Sequence, residues 1–154
     1  QLVLEDESIG AIITSPPYLN KIEYTSVYKL ELGIFFGYQE TKLRAFVGDN
    51  PNIDPIVEFA DLPLVAQAYF SDLKKVVEQW FRVLKPGGVC VGNIAGGCLP
   101  HGPVQSDKYL EKMAKEAGFE MMQNITARQI WCHATTRGNK TGQTKDAVVV
   151  FKKP

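Results

Sequence analysis

The sequence predicts an α/β fold in which strands and helices alternate and the chain closes with an antiparallel hairpin. Short apolar runs at residues 11–14, 89–95 and 147–152 have the length and composition of buried strands. A long amphipathic pattern at residues 64–84 separates the first run from the second. Because a helix intervenes, we expect these two strands to be parallel neighbours in one sheet.

The first predicted strand, residues 11–14, ends at a proline pair. Apolar and aromatic residues at helical spacing then predict a helix within residues 23–36, which starts near Thr25 and ends at Gly37. Residues 38–63 lose this periodicity and are rich in Pro, Gly, Asn and Asp, so we predict a long loop or insertion. The sequence leaves open whether it forms a functional lid or a disordered insert.

The clearest helix is predicted at residues 64–84, where aromatic residues fall on the apolar stripe and are expected in the core. Lys85 to Gly88 are expected to stop this helix before the buried strand at 89–95. Residues 96–103 are predicted to form a loop that carries His101. The aromatic residues of the stripe are Tyr69, Trp80 and Phe81.

The last third of the chain predicts one helix and two strands. The helix spans residues 108–117, with Ser106 or Asp107 as its cap and Gly118 at its end. The strands, at 119–131 and 147–152, form a hairpin around a basic loop at 132–146.

Composition indicates an ordinary globular domain. The 154 residues are 45% hydrophobic and 22% charged, and no apolar stretch approaches the roughly 18 residues of a membrane span. We therefore expect a cytoplasmic protein with no membrane partner. Cys90, Cys98 and Cys132 indicate neither a disulfide framework nor a zinc site, and Cys90 is expected in the core. His101 and His133 are expected in surface or loop roles, not as metal ligands.

Charge is balanced overall and uneven along the chain. Residues 1–63 hold 10 acidic and 4 basic side chains, whereas residues 128–154 hold 1 and 6. The basic end, with glycines between its charges, fits either a phosphate backbone or a solvated loop that joins two strands. Its six members are Arg128, Arg137, Lys140, Lys145, Lys152 and Lys153.

The most informative segment is Thr14-Ser15-Pro16-Pro17-Tyr18, directly after the first strand. The two prolines fix two φ angles and keep Ser15 out of the helical region, so local acceptors stay free of a helix. The Ser15 hydroxyl and a carbonyl near Pro16 are suited to accept two N–H bonds from an exocyclic amino group. Tyr18 offers a face for base stacking.

This segment resembles the catalytic motif of the amino-methylating DNA methyltransferases, which carry Ser, Asn or Asp before Pro-Pro-Tyr or Pro-Pro-Phe. The Ser form resembles the cytosine-N4 branch more than the adenine-N6 branch. Other segments agree in order: Asp6-Glu7-Ser8-Ile9, Tyr18-Leu19-Asn20, the run from Arg82 to Gly88, Val89-Cys90-Val91-Gly92-Asn93, and the run from Ala147 to Lys152.

The resemblance implies the second half of a Rossmann-like, S-adenosylmethionine-dependent methyltransferase fold. It implies that Ser15 and Pro16 orient the amino group, Pro17 stiffens the loop and Tyr18 stacks on the base. Thr14 and Ser15 are the candidate contacts to the methyl donor. Asn20, Arg137 and Lys140 are the other candidate contacts to a DNA substrate, with RNA as an alternative; Asn20 and Thr14 are equally compatible with local structural roles.

One element of the family pattern is absent from the sequence. These enzymes hold the cofactor with a Phe-x-Gly-x-Gly turn after a strand, and neither Gly87-Gly88 nor Gly96-Gly97 has that context. We expect residues 1–154 to be the C-terminal part of a methyltransferase catalytic domain, its N-terminal half being cleaved, disordered or on another chain. Adenine-N6 or RNA methylation, and a non-catalytic nucleic-acid-binding fragment, remain alternatives. The recognition sequence, oligomeric state and membership of a restriction system stay open.

Overall fold

Strands and helices alternate along the chain until the final hairpin. The computed structural model describes residues 2–19, 27–37, 57–100, 102–133 and 138–154. Its elements are β1 (Ile9–Thr14), α1 (Lys29–Phe36), α2 (Leu64–Val83), β2 (Leu84–Ala95), β3 (Gly97–Leu99), β4 (Gly102–Val104), α3 (Ser106–Ala117), β5 (Glu120–His133) and β6 (Lys140–Lys152). A 3-10 turn at Val57–Phe59 precedes α2.

Four strands form one mixed sheet in the order β1-β2-β6-β5. β1 and β2 are parallel neighbours, with Ile12 opposite Cys90 and Thr14 opposite Gly92. β6 runs antiparallel to both β2 and β5. The predicted parallel pair, its connecting helix and the terminal hairpin are therefore confirmed. The carboxyl ends of β1 and β2 lie side by side, at the edge where ligands bind in open α/β sheets.

Helices α2 and α3 cover one face of this sheet and form the hydrophobic core with it. The apolar stripe of α2 is buried, which confirms the core positions of Tyr69 and Trp80, and Phe81 packs against the same core. Leu110 of α3 lies against Gly92 of β2. Burial raises the pKa of the Cys90 thiol to about 12, so this cysteine is an uncharged core residue as expected.

Several predicted boundaries are wrong because strand pairing extends beyond the apolar runs. β2 begins at Leu84, so the segment expected to separate helix from strand is itself part of the strand. The predicted loop at 96–103 contains the short hairpin of β3 and β4. The predicted basic loop at 132–146 belongs largely to β5 and β6, which pair as far as His133 and Lys140.

Helix α3 begins at Ser106, two residues before the predicted start, and Gln105 at its N-cap makes no side-chain capping hydrogen bond. The predicted capping role of Ser106 or Asp107 is therefore wrong, because both residues lie inside the helix and are buried. Gly118 ends the helix in the left-handed conformation, as predicted, with φ of 106°.

The cysteine prediction is also wrong. Cys98 and Cys132 form a disulfide across 34 positions of sequence. Cys98 lies on β3 and Cys132 near the end of β5, so only the folding of the long hairpin over β3 brings the two thiols together. The bond ties the segment that follows β2 to the terminal hairpin.

Most of the described part of the basic end is neutralised within the molecule. Arg128 donates to Asp146 at 3.0 and 2.6 Å, Lys145 pairs with Asp107 at 2.9 Å, and buried Lys153 donates to the carbonyls of Phe81 and Leu84 and to Glu7. These cations hold the fold together. Fewer side chains of the basic end are therefore available to contact a phosphate backbone.

Some predictions fall outside the described residues. These are the start of the helix within 23–36, the loop at 38–56, and the side chains of Asn20, His101 and Arg137. His133 is exposed at the end of β5, which confirms its surface position. None of the described helices is long and apolar enough to cross a lipid bilayer.

Candidate functional site

The candidate site lies where β1 and β2 end. Thr14 is the last residue of β1, so Ser15 to Tyr18 leave the sheet at its carboxyl edge. Asn93 lies one residue beyond the β2 partner of Thr14. The parallel pairing of two short strands therefore brings the proline-stiffened loop and Asn93 to the same place.

The hydroxyl of Tyr18 is the centre of a small hydrogen-bond network. Ser15 Oγ donates to Tyr18 Oη at 2.8 Å, and Asn93 Nδ2 donates to the same oxygen at 2.9 Å. The Ser15 hydroxyl also lies 3.4 Å from the carbonyl oxygen of Asn93. A serine hydroxyl has one proton and two lone pairs, so a Ser15 that donates to Tyr18 keeps acceptor capacity for a ligand.

The loop has an exposed side and a buried side. Ser15 and Pro17 are exposed, Tyr18 is half-buried, and Pro16 and Leu19 are buried. The Ser15 hydroxyl is thus open to a ligand while the loop is anchored on both sides of it. The phenol ring of Tyr18 is held by its oxygen and is not submerged in the core.

Helix α2 contacts the loop of Ser15 to Tyr18 through the hydroxyl of one tyrosine. Tyr69, which is fully buried, donates from Oη to the carbonyl oxygen of Pro17 at 2.7 Å. Burial, with a smaller contribution from Tyr18, raises the pKa of Tyr69 well above its ordinary value, so this phenol stays protonated. The Pro17 carbonyl is therefore engaged by Tyr69 and anchors the loop to α2.

Two glycines after β2 allow the close packing around this loop. A Cβ on Gly97 would lie 2.6 Å from Leu19 Cδ2, and a Cβ on Gly96 would overlap the hydroxyl of Thr144. The amide of Gly96 donates to the carbonyl of Lys145 at 2.9 Å. The space beside Gly96-Gly97 is therefore filled by the protein's own side chains and does not form a ligand cradle.

The terminal hairpin extends beyond the edge that carries the site. The last β2 residue, Ala95, pairs with Asp146, whereas β6 begins six residues earlier at Lys140. At about 3.3 Å per residue, the hairpin projects roughly 20 Å past the strand ends. Near its tip, Lys140 Nζ lies 4.1 Å from the ring centroid of the exposed Trp131.

Sequence reasoning identified part of this arrangement. The structure brings Thr14 to Tyr18 together with Asn93, and places Lys140 on the projecting hairpin, away from their hydrogen-bond network. Asn93 enters the sequence pattern only as the last residue of the run from Val89 and is not among the predicted site residues. Its position after a predicted parallel strand was the signal available. The buried hydroxyl of Tyr69 left no signal, because its spacing is that of any core residue.

Within the described residues, no cluster of His, Cys, Asp and Glu has the composition of a metal site.

Comparison with known proteins gives relatives of one kind. The Type II beta methyltransferase M.BslI of Bacillus sp. (strain NEB-606) is 24% identical over 161 aligned residues, which cover 98% of this chain. The Type II methyltransferase M.BsoBI of Geobacillus stearothermophilus is 46% identical over 41 residues, or 27% of the chain. No protein-family model matches the chain.

Solved structures show the same fold. TTHA0409 of Thermus thermophilus, described as a DNA modification methylase and solved with S-adenosyl-L-methionine, matches 99% of this chain with a TM-score of 0.55 and 16% identity. The cytosine-N4-specific PvuII DNA methyltransferase matches 99% with a TM-score of 0.52 and 15% identity. The chain therefore has the fold of these solved methyltransferases, and the curated sequences that it resembles are Type II methyltransferases.

This relationship covers only part of each methyltransferase. The chain spans 13% of M.BslI and 8% of M.BsoBI, and 50% and 45% of the two solved structures. The α/β fold of this chain is thus about half of a methyltransferase fold, as the resemblance implied. The candidate site lies within that half.

Proposed function

We propose that this chain forms the substrate-orienting half of an enzyme that transfers a methyl group from S-adenosylmethionine to the exocyclic amino group of a DNA base, at cytosine N4. The supporting observation is the network in which Asn93 and Tyr18 hold the exposed Ser15 hydroxyl at the carboxyl edge of two parallel strands. The cytosine-N4 specificity of the PvuII enzyme and the Ser form of the motif agree with this base.

For methyl transfer to an amino group, the main role of the protein is to orient that group. The amino group of a base is a weak nucleophile because its lone pair is delocalised into the ring. Ser15 Oγ and the Pro16 carbonyl accept its two N–H bonds and leave the nitrogen lone pair directed to the methyl donor. Tyr18 stacks on a base flipped out of the duplex. S-adenosylmethionine, when bound, supplies an electrophilic methyl group.

The residues of this chain fit the reacting end of the cofactor and not the rest of it. We propose that Thr14 and Ser15, at the carboxyl edge of the sheet, contact the methyl-donating end of the cofactor. Gly96-Gly97, at the end of β2, cannot cradle the cofactor because Thr144 and Leu19 occupy that space. We propose that the main cofactor pocket belongs to another half of the domain, in cis or on another chain.

Labelled-methyl transfer tests the function directly. The intact protein containing this chain is incubated with methyl-labelled S-adenosylmethionine and either DNA or structured RNA. We expect label in DNA. Label in RNA alone would indicate that the substrate is an RNA base. The absence of label from both nucleic acids would favour a non-catalytic fragment. Calorimetry on the 154-residue chain alone should show weak or no binding of S-adenosylmethionine.

The support that Tyr69 gives to the loop leads to a second prediction. Replacing Tyr69 by Phe removes only the hydroxyl that holds the Pro17 carbonyl. We expect kcat for methyl transfer to fall about two- to twelvefold, because one such hydrogen bond contributes about 0.5–1.5 kcal/mol. The KM for DNA should change by less than about twofold, since the outer surface of the loop is unaltered.

Tyr109→Phe is the matched control for this change. Tyr109 belongs to the same aromatic cluster and donates to Asp61 at 2.7 Å, away from the loop. Both variants lose one hydroxyl from the cluster, and thermal unfolding measures the stability cost of each. An equal fall of kcat in both variants would contradict a positioning role for Tyr69.

The projecting hairpin leads to a third prediction, on DNA affinity. We propose that Lys140 and Arg137 contact the DNA backbone. Lys140→Ala should then weaken binding to any DNA sequence and lower the slope of log K against log salt by about 1. Lys85→Ala is the control, because Lys85 is exposed at the opposite end of β2. Equal slopes of log K against log salt in the two variants would show that Lys140 does not contact DNA.

A further inference from the structure

The terminal hairpin has a long part that lies beyond the four-stranded sheet. The last residue of β2, Ala95, pairs with Asp146, so residues 140–145 of β6 have only residues 129–133 of β5 as strand partners among the described residues. We call residues 129–133 and 140–145 the distal hairpin. A two-stranded hairpin by itself is marginally stable in water, so the position of this one depends on what holds it.

The segment that contains β3 and β4 holds the distal hairpin on its β6 side. Thr144 Oγ1 donates to the carbonyl oxygen of Val104 at 3.0 Å. Gln105 Nε2 donates to the carbonyl oxygen of Gln143 at 2.8 Å. These two hydrogen bonds join neighbouring residues of β6 to the end of β4.

A disulfide holds the β5 side. Cys132 of β5 is bonded to Cys98 of β3, and in their own strand pairs Cys132 lies opposite Gly142 and Cys98 lies opposite Pro103. A Cβ on Gly142 would lie 2.7 Å from Pro103 Cγ, so the glycine packs directly against the proline ring. The four residues therefore form a closed ring, with the S–S bond on one side and the contact of Gly142 with Pro103 on the other.

This ring lies between the candidate site and the lysine that we propose contacts DNA. In the ladder of β5 and β6, Cys132 is one pair before the pair that contains Lys140. Cys132 Sγ also lies 3.9 Å from the carbonyl oxygen of Gly97, which packs against Leu19, the residue after Tyr18. The disulfide thus fixes the DNA-contacting end of the hairpin to the segment that supports the loop of the site.

The two cysteines differ in exposure. Cys132 is 1% exposed, whereas Cys98 is half-buried. Exposed disulfides are the ones that exchange readily with thiols, and an enclosed sulfur is protected from attack. We therefore expect a small thiol to reach the bond at Cys98.

We propose that the Cys98–Cys132 disulfide is a redox latch, a site at which a small thiol opens the bond and releases the distal hairpin, so that DNA binding weakens. The effect on DNA rests on the proposed function. The effect on the hairpin rests on the ring of contacts alone.

Opening takes two exchange steps. The thiolate of a small thiol attacks Cys98 Sγ, the S–S bond breaks, and the sulfur of Cys132 leaves with the electron pair and takes up a proton. A second small thiol attacks the small-molecule sulfur of the mixed disulfide, so that a free disulfide forms and the Cys98 thiolate leaves and is protonated. Two small thiols are thereby oxidised, and their two electrons reduce the protein disulfide to two thiols.

The opened latch should close again. The contact of Gly142 with Pro103 and the hydrogen bond of Thr144 do not depend on the S–S bond, so they keep the two thiols near each other. Groups that are held together react at a high effective concentration. Opening therefore loosens the distal hairpin without detaching it, and an oxidised small thiol restores the bond.

Glutathione and glutathione disulfide test the proposal in the intact protein that contains this chain. Glutathione should release the two thiols of the latch while cooperative thermal unfolding is retained, and Cys90 stays buried. Backbone hydrogen exchange in the distal hairpin should become at least about tenfold faster, and exchange in residues 147–152, inside the sheet, should be unchanged. The Kd for DNA should rise at least about threefold, because binding must then order the hairpin, and glutathione disulfide should restore it.

Cys98→Ser combined with Cys132→Ser is the matched control, because this variant is permanently open and keeps Cys90. It should show the hydrogen exchange and the DNA affinity of the reduced wild-type protein, with either form of glutathione. A response of this variant to glutathione would show that the effect arises elsewhere and would overturn the proposal. The reduced wild-type protein carries the test if the variant does not fold, since no residue is changed in it.

Three results in the wild-type protein would overturn the latch. The first is a disulfide that resists glutathione until the protein unfolds, and the second is unchanged hydrogen exchange in the distal hairpin after reduction. The third is equal DNA affinity of the oxidised and reduced proteins.

Methyl transfer by the same preparations separates the latch from the proposed function. Faster exchange of the distal hairpin and weaker DNA binding, without methyl transfer in either state, would support the latch and count against the enzymatic role. Methyl transfer and DNA affinity that are both independent of the redox state would leave the function standing and remove the latch.

Discussion

Replacing Ser15 by Ala is expected to lower methyl transfer by at least about 100-fold, the range measured when one preorganised hydrogen-bonding group is removed from an active site. Tyr18→Ala is expected to be as severe. It removes a stacking contact worth roughly 1–3 kcal/mol together with the oxygen that holds Ser15. Single-turnover kinetics of the intact protein measure both effects, because they isolate the chemical step from product release.

Two further variants make this expectation specific. Tyr18→Phe keeps the ring and removes the oxygen, so it should retain part of the activity that Tyr18→Ala loses. Ser8→Ala removes a serine hydroxyl before β1, where Ser8 donates to the carbonyl of Glu5 at 2.7 Å, and should leave turnover unchanged. Wild-type turnover in Ser15→Ala, with folding intact, would exclude Ser15 from the reacting site.

The largest effect on stability is expected from Lys145→Met. Asp107 is 1% exposed, and its Oδ2 accepts from Lys145 at 2.9 Å and from Asn124 at 2.9 Å. Removing the lysine leaves a buried carboxylate without its counter-charge, a change that costs about 3 kcal/mol at the lower end of the usual range because Lys145 is itself partly exposed. Urea denaturation measures the loss of unfolding free energy.

Lys112→Met is the control for this measurement. Lys112 pairs with Glu116 and Glu58 at 3.9 and 4.0 Å on the surface, where an ion pair contributes about 0–1 kcal/mol. Asp107→Asn combined with Lys145→Met should recover part of the stability, since the buried charge is then gone. Equal losses in Lys145→Met and Lys112→Met would show that the pair with Asp107 is not a stabilising element.

The elements that could be predicted from the sequence are those whose pattern is local. The stripe of α2 repeats along the whole helix, and the apolar runs of β1 and β2 are bounded by turn residues, so periodicity alone identified them. The lengths of β5 and β6 depend on each other. The polar start of β6, Lys140 to Asp146, is a strand because it pairs with residues 128–133 of β5, and its own propensity gives no sign of this.

Long-range contacts explain the remaining errors. The disulfide between Cys98 and Cys132 depends on how the hairpin folds over β3, and the pairing of Lys145 with Asp107 depends on the packing of α3 beside β6. The loop from Thr14 to Tyr18 was recognised because a proline pair directly after a strand is a local signal. Tyr69 was predicted correctly as a core residue, but the partner of its hydroxyl lies 52 residues away.

The central claim is that a proline-stiffened loop, with a serine hydroxyl held by Tyr18 and Asn93, prepares an amino group of a DNA base for methylation. Mass spectrometry of nucleosides from DNA treated with the intact protein and S-adenosylmethionine tests it most directly. We expect N4-methylcytosine from the wild-type protein and none above background from Ser15→Ala. Methylation on a ring carbon, or equal amounts of product from both proteins, would contradict it.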